Sequence, residues 1–107
     1  MELITKELEK RFKEIGSQEE TPIENKIVVA KYFNAAGAGT WYATEYDPST
    51  KTFFGYVSIF GDWNDEWGYF SLDELKSVKG FAGLGVERDL YCGEKTIKEW
   101  DIASLKN

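Results

Sequence analysis

The stretch Phe60–Phe70, FGDWNDEWGYF, sets Asp62, Asn64, Asp65 and Glu66 among Trp63 and Trp67 with no basic residue in between. Three chemistries use such residues. The first is a calcium loop, since Asp62, Asn64 and Glu66 stand at its positions one, three and five, with Asp73 at position twelve. That loop requires glycine at position six and a bidentate glutamate at twelve. Trp67 and Asp73 stand there instead, so no metal is expected. The second is acid/base catalysis by paired carboxylates, drawn from Asp62, Asp65, Glu66, Glu87 and Asp89, with tryptophans as a sugar platform. The third is a contact surface: acids beside tryptophan and tyrosine suit a basic site on another protein, against the alternative that Trp63 and Trp67 bury under the sheet and the acids only face water.

What the chain lacks narrows this choice. It contains no histidine and one cysteine, Cys92. Histidine-based nucleophilic catalysis, histidine general bases and His- or Cys-rich zinc sites are therefore excluded. An internal disulfide is excluded too, which suits a reducing cytoplasm. The net charge is −6 over 107 residues. Residues 1–61 hold nine acids and seven bases, and residues 62–107 hold ten and six. An acidic surface repels phosphate backbones, so no direct nucleic-acid partner is expected. A base-stacking platform on the strand aromatics would also need a basic groove, and the second and third strands offer only Lys51 against Glu45. The Gly-rich runs at Gly37–Thr40 and Gly80–Gly83 lack the residues of a phosphate loop or an RNA-binding loop and read as turns. The amino-terminal segment, MELITKELEKRF, is charged throughout and unlike a signal peptide, and no run reaches the roughly 20 apolar residues of a membrane span. A cytoplasmic protein without cofactor is the expectation.

The elements that must position these residues follow from periodicity. One domain is expected. Residues 2–15 predict a helix with Ile4, Leu8, Phe12 and Ile15 on one stripe, capped by Gly16. Ser17–Asn25 is a polar linker with room for a short turn after Thr21. Lys26–Asn34, Thr40–Tyr46 and Lys51–Phe60 predict three strands, with turns at Ala35–Gly39 and at Asp47-Pro48-Ser49-Thr50, forming an antiparallel meander. Ser71-Leu72-Asp73-Glu74 and Thr96-Ile97-Lys98-Glu99 are capping boxes that start short helices. Val86–Tyr91 predicts a fourth strand. The fold class is α+β: an antiparallel sheet of about four strands, a three-strand meander plus one, packed by an N-terminal helix and short C-terminal helices.

The motifs AGAGTWYATEYDP, FGDWNDEWGYFSLDEL and GLGVERDLY resemble the bacterial domain-of-unknown-function family 2958. The likeness runs from about Asn25 to Lys95, a family-like core at 26–95, with the helix at 2–15 and the tail at 96–107 outside it. The resemblance implies a setting on phages, plasmids and integrative elements, near antirestriction and conjugation functions. It carries no catalytic residue to this chain. Together, charge and resemblance favour a non-enzymatic interaction protein, such as an antirestriction or anti-CRISPR inhibitor. It would meet a basic surface on a host defence or DNA-processing protein through Asp62, Trp63, Asp65 and Glu66, with Glu87 and Asp89 as outer contacts. A small carboxylate or metal-dependent enzyme is the alternative, and a nucleic-acid module on the sheet aromatics is the third reading.

Overall fold

A computed structural model describes residues 2–59, 65–78, 84–91, 93–100 and 102. Helix α1 spans Lys6–Ile15. It starts four residues later than the apolar stripe suggests because Thr5 is the N-cap, its hydroxyl accepting from the Leu8 N–H at 3.1 Å. Ahead of the cap, Leu3 leaves the helix and buries in the core, where its carbonyl accepts the Tyr32 hydroxyl at 2.5 Å. Gly16, at φ 70°, ends α1 in the left-handed region that glycine enters without strain.

The chain then forms a 3-10 turn at Ile23–Asn25, followed by β1 (Ile27–Val28), β2 (Ala30–Asn34), β3 (Thr40–Asp47), β4 (Thr52–Ser58) and β5 (Glu66–Ser71). Helix α2 (Leu72–Ser77), β6 (Val86–Arg88), β7 (Lys95–Thr96) and α3 (Ile97–Trp100) complete it. The main sheet is antiparallel with strand order β5-β4-β3-β2-β6, and β1 pairs with β7 in a second, two-stranded sheet. The α+β class and the meander with one added strand hold.

Three expectations about the strands are corrected. The run Lys26–Asn34 is two strands serving different sheets, since it turns at Val29, whose N–H donates to the Ala43 carbonyl at 2.9 Å. Glu66–Ser71 is a fourth meander strand where a corner was expected, paired along its length with Val57–Thr52. The strand expected at Val86–Tyr91 stops at Arg88, because the Asp89 carboxylate accepts from the Tyr91 N–H at 2.9 Å and turns the chain.

The register sorts side chains onto two faces. Ala30, Tyr32, Trp41, Ala43, Phe53 and Phe70 lie on the face covered by α1 and α2. Phe53 stands at the centre of a ring cluster, 5.2 Å from Phe70, 5.3 Å from Tyr32 and 6.0 Å from Phe12. Tyr42, Tyr56 and Trp67 lie on the other face and pack with Val28, Ile97 and Trp100 under the C-terminal segment.

Most of Ser17–Asn25 is exposed, but Gln18 ties the segment to the sheet. Gln18 is buried beside an irregularity in β3, where the register slips between Ala43 and Glu45. Its amide donates to the Ile27 and Thr44 carbonyls at 2.9 and 2.8 Å, and its oxygen accepts the Ile27 N–H at 2.6 Å. One side chain thus satisfies backbone groups that the bulge and the strand break leave unpaired.

Candidate functional site

The carboxylates singled out from sequence do not converge. Among those described, Asp65 and Glu66 belong to the β5 edge, while Glu87 and Asp89 belong to the β6 edge. The row Glu66, Val57, Trp41, Tyr32, Arg88 crosses the whole sheet. Four strand spacings separate its ends, roughly 19 Å, which is beyond the separation of a glycosidase pair. Asp62 and Trp63 lie outside the described residues. No group of three or more metal-ligating side chains occurs among the described residues. Of the calcium-loop positions, Glu66 and Trp67 are committed to β5 and Asp73 to α2.

Each remaining acid has its own setting. The Asp65 carboxylate accepts the Ser58 hydroxyl at 2.7 Å across the β4–β5 pair, while Glu66 is exposed. Burial pushes the Tyr42 phenol up from its ordinary value, and the charge of Asp65 adds to the shift. Asp89 is tied to β2 by its N–H to the Lys31 carbonyl at 2.9 Å and by an ion pair to Lys31 at 3.8 Å. Glu87 is half-buried in β6, opposite Phe33.

Trp67 belongs to the core more than to a contact surface. It is half-buried, stacked on Phe54 at 6.1 Å and edge-on to Tyr56 at 5.4 Å. Tyr69, two residues on, is 75% exposed and makes an edge contact with Phe54 at 4.9 Å. Because α2 follows directly from β5, Asp73 and Glu74 come just beyond the end of that strand, both exposed. Ser71 caps that helix by accepting the Glu74 N–H at 2.9 Å.

A concavity lies elsewhere. A cleft of about 940 Å³ runs between α1 and the β3–β4 hairpin, with Tyr69 at its lip. Lys6, Lys10 and Lys13 stand along the helix wall, spaced four and three apart so that they share one face of α1. Phe12, Tyr46 and Phe54 supply apolar surface, and Glu45 and Asp47 stand on the hairpin wall. The Asp47 carboxylate is held below the usual carboxylate range by hydrogen bonds from the Ser49 hydroxyl and N–H, at 2.7 and 2.9 Å. Burial pushes the Tyr46 phenol up, with Glu9 the largest of the charges adding to it. Sequence reading passed over this cleft because its walls come from segments some thirty residues apart, each ordinary by itself. The one available signal was the lysine row, which reads equally well as the solvated face of an amphipathic helix.

A second cationic feature sits at the C-terminal segment. Lys31 and Lys95 place their ammonium groups 4.5 and 4.7 Å from the ring centre of Trp100, within cation–π range. These contacts join β2 and β7 to α3 and anchor the C-terminal segment.

No helix among the described residues is long and apolar enough to cross a membrane. No curated protein and no solved structure matches the chain. A family model does match, over residues 3–105, so it takes in α1 and the C-terminal segment that lie outside the recognisable motifs. On that match, the chain belongs to the family described as "Protein of unknown function (DUF2958)".

Proposed function

We propose that this is a non-enzymatic, cytoplasmic binding protein that receives a basic segment of a partner protein along β5. The observation that carries the reading is the composition of that outer strand. Among the described residues β5 pairs only with β4, and it presents exposed Glu66 and Tyr69, with Asp73 and Glu74 exposed immediately beyond. An outer strand offers unpaired backbone groups to an added strand. Carboxylates beside it steer a lysine- or arginine-rich segment and select against acidic ones. A host defence or DNA-processing protein with a basic surface fits this chemistry, and the mobile-element setting implied by the family resemblance makes an antirestriction or anti-CRISPR inhibitor the specific form of the proposal. The dispersal of the acids to opposite edges weighs against the carboxylate enzyme.

The test is fluorescence polarisation with a panel of extended basic peptides, at low and high salt. Binding should weaken with salt and be lost when Glu66→Lys, Asp73→Lys and Glu74→Lys are combined. Equal binding by wild type and triple variant, with both folded by circular dichroism, overturns the reading.

A further inference from the structure

The α1–hairpin cleft is a second site, sharing Tyr69 with the β5 strand, and we infer that it binds a nucleoside di- or triphosphate. Three features of the lining select this class together. Lys6, Lys10 and Lys13 are exposed and make no ion pair among the described residues. Seven residues of helix separate the first lysine from the last, about 10 Å of axial rise, so the positive charge is drawn out into a line. A row of phosphates matches that line better than a single carboxylate, which engages only one ammonium. Tyr69 and Phe54 then offer ring surface, Tyr69 with most of its area open, on which a base can stack. Finally, Glu45 and Asp47 line the hairpin side of the cleft, the Glu45 carboxylate accepting the Gln18 N–H at 3.4 Å. Carboxylates accept hydrogen bonds from ribose hydroxyls and from exocyclic amines of bases, so the acidic wall suits the nucleoside end of the ligand.

The rest of the molecule agrees with a small ligand. A cleft of about 940 Å³ lies within the range of small-molecule sites. The overall charge of −6 opposes a long polyanion. A compact nucleotide needs only the local field of the helix wall. Glu9 leaves that wall positive, and with Glu45 and Asp47 the lining as a whole holds three acids against three lysines, so the positive charge is confined to the helix side. Arg11 takes no part, since it is bonded to Glu94.

The experiment titrates adenosine triphosphate, adenosine and inorganic tripolyphosphate separately into the full chain, by calorimetry and by amide NMR. Adenosine triphosphate should shift amides of α1 and of the β3–β4 turn, and each half-ligand should bind roughly tenfold or more weakly. Combining Lys6→Gln, Lys10→Gln and Lys13→Gln should weaken nucleotide binding roughly tenfold or more, and Tyr69→Ala should weaken adenosine triphosphate but not tripolyphosphate. All four positions are exposed, so the variants should fold. The proposal is overturned if millimolar adenosine triphosphate gives no heat, if shifts map away from α1 and the hairpin, or if either half-ligand binds as tightly as the whole. The peptide test substitutes Glu66, Asp73 and Glu74 and the nucleotide test Lys6, Lys10 and Lys13, so failure of one reading is distinguishable from failure of the other.

Discussion

Gly55 and Gly68 sit directly opposite one another across β4 and β5, yet only Gly55 has no room for a side chain. A Cβ at Gly55 would lie 1.9 Å from the Tyr42 carbonyl oxygen, whereas one at Gly68 meets nothing within 4 Å. The difference arises from β3, whose bulge after Ala43 brings its backbone against β4.

Gly55→Ala should therefore destabilise the protein by about 3 kcal/mol, because backbone must move to admit the methyl group. Gly68→Ala should stabilise it by about 0.5 kcal/mol, since Gly68 is not in the left-handed region and alanine restricts the unfolded chain. Urea midpoints of the two variants should move in opposite directions. A common sign would contradict the placement of the bulge.

Gln18→Ala should cost about 3 kcal/mol, because it strands the Ile27 N–H and two carbonyls away from water. Hydrogen exchange should report the change locally, with the Ile27 amide losing protection first. Gln18→Leu, which fills the volume without the polar atoms, should fare no better.

The pH profile should be a plateau with two limbs. The Arg11 guanidinium donates to Glu94 at 2.6 and 2.8 Å and holds that carboxyl below its ordinary 4.5. A depressed carboxyl contributes stability that is present above its unfolded value and is lost as pH falls through the folded one. Tyr42 and Tyr46 are raised above 10.0, so their contribution is present below pH 10 and is lost as pH rises through their folded values. No histidine exists to bend the curve near neutrality. Denaturation midpoints against pH should show Glu94→Gln flattening the acid limb and Tyr42→Phe flattening the alkaline one. A step near pH 6.5 would contradict this account.

Ser71→Ala and Thr96→Ala should each cost about 1 kcal/mol. Ser71 accepts from Glu74, and Thr96 both accepts from the Glu99 N–H at 3.2 Å and donates its own N–H to the Glu99 carboxylate at 3.0 Å. Leu72 and Leu75 of α2 pack in the core on one sheet face and Ile97 of α3 in the core on the other, so the two losses should add in the double mutant.

The features legible in the sequence are those decided within a few residues. Gly16, the Asp47–Thr50 turn and both capping boxes act where they were read, because a cap or a tight turn needs only its own neighbours. The paired strands β3 and β4 were also plain from their β-branched and aromatic runs. β5 was not, since a glycine interrupts its aromatics and the acids before it resemble a loop; it becomes a strand because β4 is there to pair with it. The break at Val29 was hidden for a similar reason, as the run Lys26–Asn34 alternates without interruption and only the bulge in β3 redirects it. The acids illustrate the same limit. Acidic character put Glu66 and Glu87 on one candidate surface, with Glu87 as an outer contact, and strand order put them on opposite edges.

The division of Lys26–Asn34 between two sheets has a mechanical consequence. Tension applied to the C-terminal segment enters the molecule at the short ladder Ile27–Thr96 and Val28–Lys95, reinforced by the Ile97 N–H to the Lys26 carbonyl at 2.9 Å. Such a ladder opens one pair at a time, like a zip. The Val29–Ala43 bond acts as a rivet that holds the β1 side of the ladder to β3. The tail should peel away at low force while the five-stranded sheet stays whole, giving two separate rupture events in a single-molecule pulling trace.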